Sequence, residues 1–124
     1  MDMSIHIITE SNVDILTKQA GDFLTKLCSH TDTPTLLLLS GGSAFQMLDH
    51  VSLVEASHLT IGMLDERYSS DALNNNFLQL QKTTFYTSAI ASGARTIDTS
   101  PQAVRSIDDL VCVMDDAIRL WKRE

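Results

Sequence analysis

Two short apolar segments, each followed at once by a cluster of polar residues, constrain the fold of this chain most strongly. Residues 35–39 read Thr-Leu-Leu-Leu-Leu and lead directly into Ser40-Gly41-Gly42-Ser43. Residues 59–64 read Leu-Thr-Ile-Gly-Met-Leu and lead into Asp65-Glu66-Arg67. A short run that is apolar throughout is typical of a strand buried on both faces, as in the centre of a parallel sheet. We therefore predict two neighbouring parallel strands whose carboxyl ends bring the two polar clusters together.

The rest of the chain alternates between strand and helix patterns. Residues 4–8 are rich in β-branched side chains and predict a first strand, whereas residues 12–28 carry apolar side chains at helical spacing. Ser11 and Asp14 form an S-x-x-D pattern, which predicts that Ser11 caps this helix. The order indicates a single α/β domain over residues 1–124. Further predicted elements are a short helix from Ser43, a helix over 75–83, an irregular segment over 84–99 with a short strand near Phe85-Tyr86, and a long helix starting at Ser100-Pro101.

Composition excludes several classes of partner. The chain of 124 residues has 16 acidic and 9 basic side chains, which gives a net charge of −7 at pH 7. Nucleic acids and anionic membrane surfaces both need a basic face, so neither is expected as a partner. The first residues lack the basic and apolar regions of a leader, and no apolar run approaches the roughly 20 residues that span a bilayer. We therefore expect a cytoplasmic protein.

The cysteines and histidines indicate neither a disulfide nor a metal site. Cys28 and Cys112 lie far apart and form no C-x-x-C pattern, so we expect two reduced thiols in the core. The histidines are scattered, and none has metal-ligand spacing to another histidine, a cysteine or a carboxylate: His6, His30, His50 and His58. No metal and no organic cofactor is expected.

The polar clusters after the two strands carry the candidate chemistry. Gly41 and Gly42 permit positive φ angles, and free N–H groups at a helix start attract phosphate. Arg67 has the geometry to hold a phosphate or carboxylate through two hydrogen bonds. Asp65 is a candidate for proton transfer or for orienting a sugar hydroxyl. Each cluster taken alone is equally compatible with a structural role, as a tight turn or as a surface group of ion pairs.

Together the motifs resemble one known family. The stretch LLLLSGGSAFQML, followed by LTIGMLDERYSSDALNNNFLQL, resembles the 6-phosphogluconolactonase and glucosamine-6-phosphate isomerase/deaminase superfamily. Ser40 to Ser43 match its glycine loop, and Asp65 to Arg67 match its strand that ends in DER. Asn75-Asn76-Phe77 loosely matches a Ser-Asn-aromatic segment, and LWKRE resembles the helix before the family's catalytic strand. The resemblance covers essentially the whole chain, as the N-terminal half of the family fold.

The resemblance implies a Rossmann-like parallel sheet flanked by helices and truncated relative to the family fold. It places Asp65 and Arg67 in or beside the catalytic centre. The deaminases typically have DEY and a threonine-glycine loop, so Arg67 and Ser40 favour the lactonases, although Ala44-Phe45 stands where the family usually has Thr-Pro. The residues implied to bind the phosphosugar are Ser40, Gly41, Gly42, Ser43, Arg67 and Asn76.

The family's catalytic histidine has no counterpart here. Family members continue well beyond the position of Glu124 and carry an Asp-Gly-His motif, whose histidine activates water, whereas this chain contains no Asp-Gly-His. The first hypothesis is a lactonase-like phosphosugar hydrolase domain that is incomplete without the C-terminal half. The alternatives are a non-catalytic sugar-phosphate-binding module, a fragment with a role in assembly only, and a deaminase-like enzyme.

The strand over residues 35–39 also bears on partners. In the family fold, one of its two neighbours belongs to the half that has no counterpart here. An apolar central strand left at a sheet edge promotes aggregation. We therefore expect a second copy of the chain, a separate chain or a rearranged helix to cover this edge, and a symmetric dimer is the commonest solution.

Overall fold

Three parallel strands form the sheet of this α/β protein. The computed structural model describes residues 5, 7–69, 71 and 74–123. Strands β1 (Thr35–Leu39), β2 (Leu59–Met63) and β3 (Arg95–Thr96) lie side by side in that order. Both neighbouring pairs are parallel. The predicted α/β class and the two predicted apolar strands are therefore confirmed, and β3 lies in the segment predicted to be irregular.

The helices flank this sheet. They are α1 (Val13–Cys28), a 3₁₀ helix (Gly42–His50), α2 (Asn76–Gln81), α3 (Thr84–Ala91) and α4 (Ile107–Arg123). Among the described residues, no helix is both long enough and apolar enough to cross a bilayer.

Helix α1 matches the predicted range, but its cap is the next residue along. The side chain of Asn12, and not that of Ser11, accepts the backbone N–H of Ile15 at 3.1 Å. Asparagine caps a helix as well as serine does, so moving the cap from Ser11 to Asn12 costs little stability. The helix packs closely on the 3₁₀ helix at Gly21, where an added Cβ would lie 2.5 Å from the Cβ of His50.

The region after residue 75 differs most from the sequence prediction. The helix predicted over 75–83 is present as α2, which ends at Gln81. A further helix, α3, occupies part of the segment predicted to be irregular, and the hydroxyl of Thr83 caps it by accepting the backbone N–H of Tyr86. The strand predicted near Phe85-Tyr86 is therefore wrong. The last helix begins at Ile107 and not at Ser100-Pro101. Ser100 starts only a turn, since its carbonyl accepts the N–H groups of Ala103 and Val104.

The two faces of the sheet carry different sets of side chains. Paired residues of parallel strands share a face, so Leu39, Ile61 and Met63 lie on one side, and all three are buried. On that side they join a core with side chains from the 3₁₀ helix, α2 and α3, namely Leu48, Phe77, Leu80, Phe85 and Ala89. On the other side Gly62 lets Ile97 and Leu38 approach closely.

Strand β1 forms an open edge in the described part of the chain, where β2 is its only partner. Thr35 donates its N–H to His58, and the carbonyl of Leu39 accepts from Leu64. Since main-chain groups alternate in direction along a strand, the N–H and C=O groups of Leu36 and Leu38 point to the open edge. Their side chains are only half-buried.

The structure also differs from the sequence prediction at the first strand and at one of the two cysteines. In the strand predicted over 4–8, Ser4 and His6 lie outside the described residues, while Ile7 and Ile8 are exposed and not in a strand. Cys28 is buried and Cys112 is exposed on α4, and both are free thiols. The prediction of two core thiols is therefore wrong for Cys112.

Candidate functional site

The loops that follow β1 and β2 lie side by side, and with the start of α2 they enclose a polar cleft. The cleft has a volume of about 580 Å³. It lies at the carboxyl ends of the parallel strands, where ligands bind in open α/β sheets. It brings together every site residue named from the sequence, and also includes Glu66 and two amide side chains. The lining residues are Ser40, Gly41, Gly42, Ser43, Asp65, Glu66, Arg67, Asn74, Asn76 and Gln79.

The glycine loop adopts a backbone that other residues rarely adopt. Gly41 has φ 86° and ψ −172°, and Gly42 has φ 59°. These angles turn the chain sharply from β1 into the 3₁₀ helix. The N–H groups of Gly42 and Ser43, at the start of that helix, donate no hydrogen bond to the described residues. Two main-chain donors of the cleft wall are thus available to an anion.

Arg67 and Asp65 supply formal charges to the cleft. Both side chains are exposed, and neither forms an ion pair with another described residue. An unpaired guanidinium can take both oxygens of a phosphate or carboxylate ligand. The carboxylate of Asp65 can accept hydrogen bonds from hydroxyl groups.

Asn76, expected to bind substrate, holds the loops together. Its Nδ2 donates to the carbonyl of Asp65 at 2.9 Å and to that of Ser40 at 3.5 Å. Its side chain fills the space beside Gly41, where a Cβ would lie 2.8 Å from Asn76 Cγ. The role seen for its amide nitrogen is therefore to fix the glycine loop against the loop after β2.

Asn75 is a buried side chain that links the loop after β2 to the segment after β3. It was assigned no role from the sequence. It is only 1% exposed. Its Oδ1 accepts the N–H of Leu78 and caps α2, while its Nδ2 donates to the carbonyls of Arg67 and Thr99. The capping role has a sequence signal, an asparagine just before a helical pattern. The two long-range bonds have none.

Glu66 was also missed, although it stands between the two predicted charged residues. The Oε1 atom of its carboxylate accepts the backbone N–H groups of Arg67 and Asn76. The Oε2 atom accepts the backbone N–H of Phe77 and the side-chain O–H of Thr99. The four distances lie between 2.6 and 3.0 Å. Two donors come from α2 and one from the segment after β3, so no local pattern reveals them.

Asn74 and Gln79 complete the cleft wall on the side of α2. Neither was singled out from the sequence, because isolated amide side chains occur on most protein surfaces. In this position their carboxamides add donors and acceptors that suit the hydroxyl groups of a polyol.

The described histidines lie away from the cleft. His30, His50 and His58 are absent from its lining, and His6 lies outside the described residues. His58 precedes β2, at the opposite end of the sheet, where its Nε2 bonds to the carbonyl of Cys28 at 2.6 Å. No group of three or more histidine, cysteine or acidic residues suited to a metal occurs in the described ranges.

The cleft therefore combines main-chain donors, one guanidinium, two carboxylates and several amides. Since the Glu66 carboxylate is already bonded within the protein, the remaining groups suit an anionic, hydroxyl-bearing ligand. Comparison of the chain with protein-family models, with curated proteins and with solved structures gave no match.

Proposed function

We propose that this chain is a phosphosugar-binding domain of a 6-phosphogluconolactonase-like hydrolase of carbohydrate metabolism. One observation carries the proposal: the glycine loop and the guanidinium of Arg67 face the same polar cleft. The free N–H groups of Gly42 and Ser43 and the side chain of Arg67 hold the anionic part of the ligand. Asp65 and the cleft amides bind its hydroxyl groups.

In this proposal, water attacks the C1 carbonyl of a phosphosugar lactone and the ring C–O bond breaks. Cleft N–H groups or Arg67 stabilise the oxyanion that forms at C1. The proton of the attacking water needs a general base. Asp65 lines the cleft with an exposed carboxylate and is the candidate for this base among the described residues, none of whose histidines lines the cleft.

The same observation favours a second candidate, a sugar-phosphate-binding module without turnover. General-base catalysis contributes about 10²–10⁴-fold to a hydrolytic rate. A cleft that binds the ligand but lacks the base would retain affinity and lose most of the rate. The two candidates share one site and differ only in whether the lactone is hydrolysed.

We further propose that the sheet is part of a larger, Rossmann-like arrangement, truncated in this chain relative to the family. The unpaired main-chain groups of Leu36 and Leu38 support this, since an apolar edge of this kind is normally covered. A second copy of the chain, or a separate chain, supplies the covering strand. A cytoplasmic location belongs to the same proposal and is supported by the free thiols of Cys28 and Cys112.

Calorimetric titration with 6-phosphogluconate tests the proposal. We expect saturable binding that Arg67→Ala weakens by about tenfold or more, because a charged hydrogen-bonding partner is lost. Lys26→Ala is the matched control, since it removes the same charge from an exposed position on α1. No binding by the unmodified chain, or equal losses in both variants, contradicts the proposal. Turnover of 6-phosphogluconolactone then separates the hydrolase from the binding module.

A further inference from the structure

The carboxylate of Glu66 is fully used inside the protein. A carboxylate has about four acceptor positions, and Glu66 fills them with bonds from Arg67, Asn76, Phe77 and Thr99. The side chain is half-buried although it borders the cleft. It therefore has no acceptor left for a ligand hydroxyl and is not available to accept a proton from water without losing one of these bonds.

Glu66 also closes the start of α2 to anions. The N–H groups of Asn76 and Phe77 bond to Glu66, and that of Leu78 bonds to the side chain of Asn75. The first three free donors of this helix are thereby occupied by the protein itself. On the opposite wall, the N–H groups of Gly42 and Ser43 remain available. The anionic part of a ligand is thus directed to the glycine loop and away from α2.

A continuous set of hydrogen bonds leads from Glu66 to both anion-binding groups. One carboxylate oxygen accepts the N–H of Arg67, which fixes the backbone from which the guanidinium extends. The same oxygen accepts the N–H of Asn76, whose side chain holds the carbonyls of Ser40 and Asp65. Gly41 cannot move toward α2, because the side chain of Asn76 occupies that space.

We propose that Glu66 is a positioning residue, which sets the spacing between Arg67 and the glycine loop Ser40–Ser43 without touching the ligand. This inference rests on the proposed function, since the spacing matters only if both groups hold one ligand. Binding groups that are already held in place lose less conformational freedom when a ligand binds. If Glu66 no longer holds Arg67 and the glycine loop, affinity therefore falls even though no contact with the ligand is removed.

A double-mutant cycle tests this role by titration with 6-phosphogluconate. Glu66→Gln places a donor where the carboxylate accepts, so at least one of its four bonds is lost. We expect Glu66→Gln to weaken binding by about tenfold, and by less than about threefold when Arg67→Ala is already present. Glu55→Gln is the matched control, because Glu55 also accepts a backbone N–H, that of Ser57, but lies outside the cleft. Losses that multiply in the double variant overturn the proposal, because Glu66 would then act independently of Arg67.

A second readout keeps the inference separate from the proposed function. In amide ¹H–¹⁵N spectra of the free chain, Glu66→Gln should shift the resonances of Ser43, Arg67 and Asn76. Thr99→Val, which removes only one donor to the carboxylate, should shift them in the same direction and serves if Glu66→Gln does not fold. Shifts without any binding by the unmodified chain would show that Glu66 fixes the geometry of the two loops, and they would contradict the proposed function. The N–H of Arg67 bonds to Glu66 directly and shifts in either case, so an unchanged resonance for Ser43 overturns the positioning role, whatever the chain binds.

Discussion

The cleft wall and the outer edge of β1 differ in whether their main-chain groups have hydrogen-bond partners. In the cleft wall, Glu66, Asn75 and Asn76 bond to main-chain groups of four separate segments, namely the loops after β1 and β2, the start of α2 and the segment after β3. At the β1 edge, the main-chain groups of Leu36 and Leu38 have no partner in the described chain. Unpaired donors and acceptors next to apolar side chains are typical of a surface that another strand covers. The chain itself therefore satisfies the main-chain groups of the cleft wall, whereas those at the β1 edge stay open, which is why we propose that another strand covers that edge.

Replacing Gly41 by alanine should disturb the cleft most. The combination of φ 86° and ψ −172° is essentially restricted to glycine and costs other residues about 1–3 kcal/mol. The added Cβ would also meet the side chain of Asn76, which its hydrogen bonds hold in place. We expect a total loss of about 3 kcal/mol in the free energy of unfolding, measured with urea.

Gly42→Ala is the matched control for this prediction. Its φ of 59° lies in the ordinary left-handed region, and an added Cβ meets nothing within 4 Å. We expect a loss of only about 1 kcal/mol, the cost of that backbone conformation. Equal losses at both positions would show that the contact between Gly41 and Asn76 does not hold the loop.

Asn75→Ala should produce the next largest effect. It removes the cap of α2 and leaves the carbonyls of Arg67 and Thr99 without their donor in a buried place. A lost cap costs about 1 kcal/mol, and buried acceptors without donors add about 1–2 kcal/mol. Asn12→Ala removes the same kind of cap from α1 at an exposed position, and should cost about 1 kcal/mol. Equal losses in the free energy of unfolding for the two variants would show that the buried bonds of Asn75 to Arg67 and Thr99 add no stability beyond the helix cap.

The sequence predicts the strands and their adjacency better than it predicts the cleft wall. The apolar runs that became β1 and β2, and the helical spacing in α1, are local patterns that report burial directly. The roles of Glu66 and Asn75 depend on partners as far away as Thr99, which no local pattern encodes. The start of α4 was misplaced for a similar reason, since Ser100-Pro101 is a good helix start that here begins only a turn.

Leu36→Pro tests the edge without touching the β1–β2 ladder. The N–H of Leu36 points away from β2, so proline removes a donor only from the open side. If a second copy pairs with this strand, we expect the dimer to dissociate, as seen by light scattering coupled to size exclusion at micromolar concentration. Leu36→Ala keeps the N–H and should keep the dimer. A monomeric unmodified chain, or a dimer that survives proline, contradicts pairing at this edge.

The smallest expected effect concerns helix α1 and the protection of the cysteine at its end. Phe23 and Leu27 of α1 are exposed, yet Cys28 at its end is buried, and burial raises the pKa of its thiol. We expect iodoacetamide to modify exposed Cys112 first and Cys28 about 100-fold more slowly, as for a group released by local opening.

Because the folded-state pKa of Cys28 is raised, its contribution to stability is complete below the ordinary thiol pKa of about 8.5. That contribution is lost as the pH rises through the folded-state pKa, and Cys28→Ala should abolish this alkaline decline in urea-unfolding stability. Equal alkylation rates for the two thiols would show that α1 detaches readily, and the open region would then include this helix as well as the β1 edge.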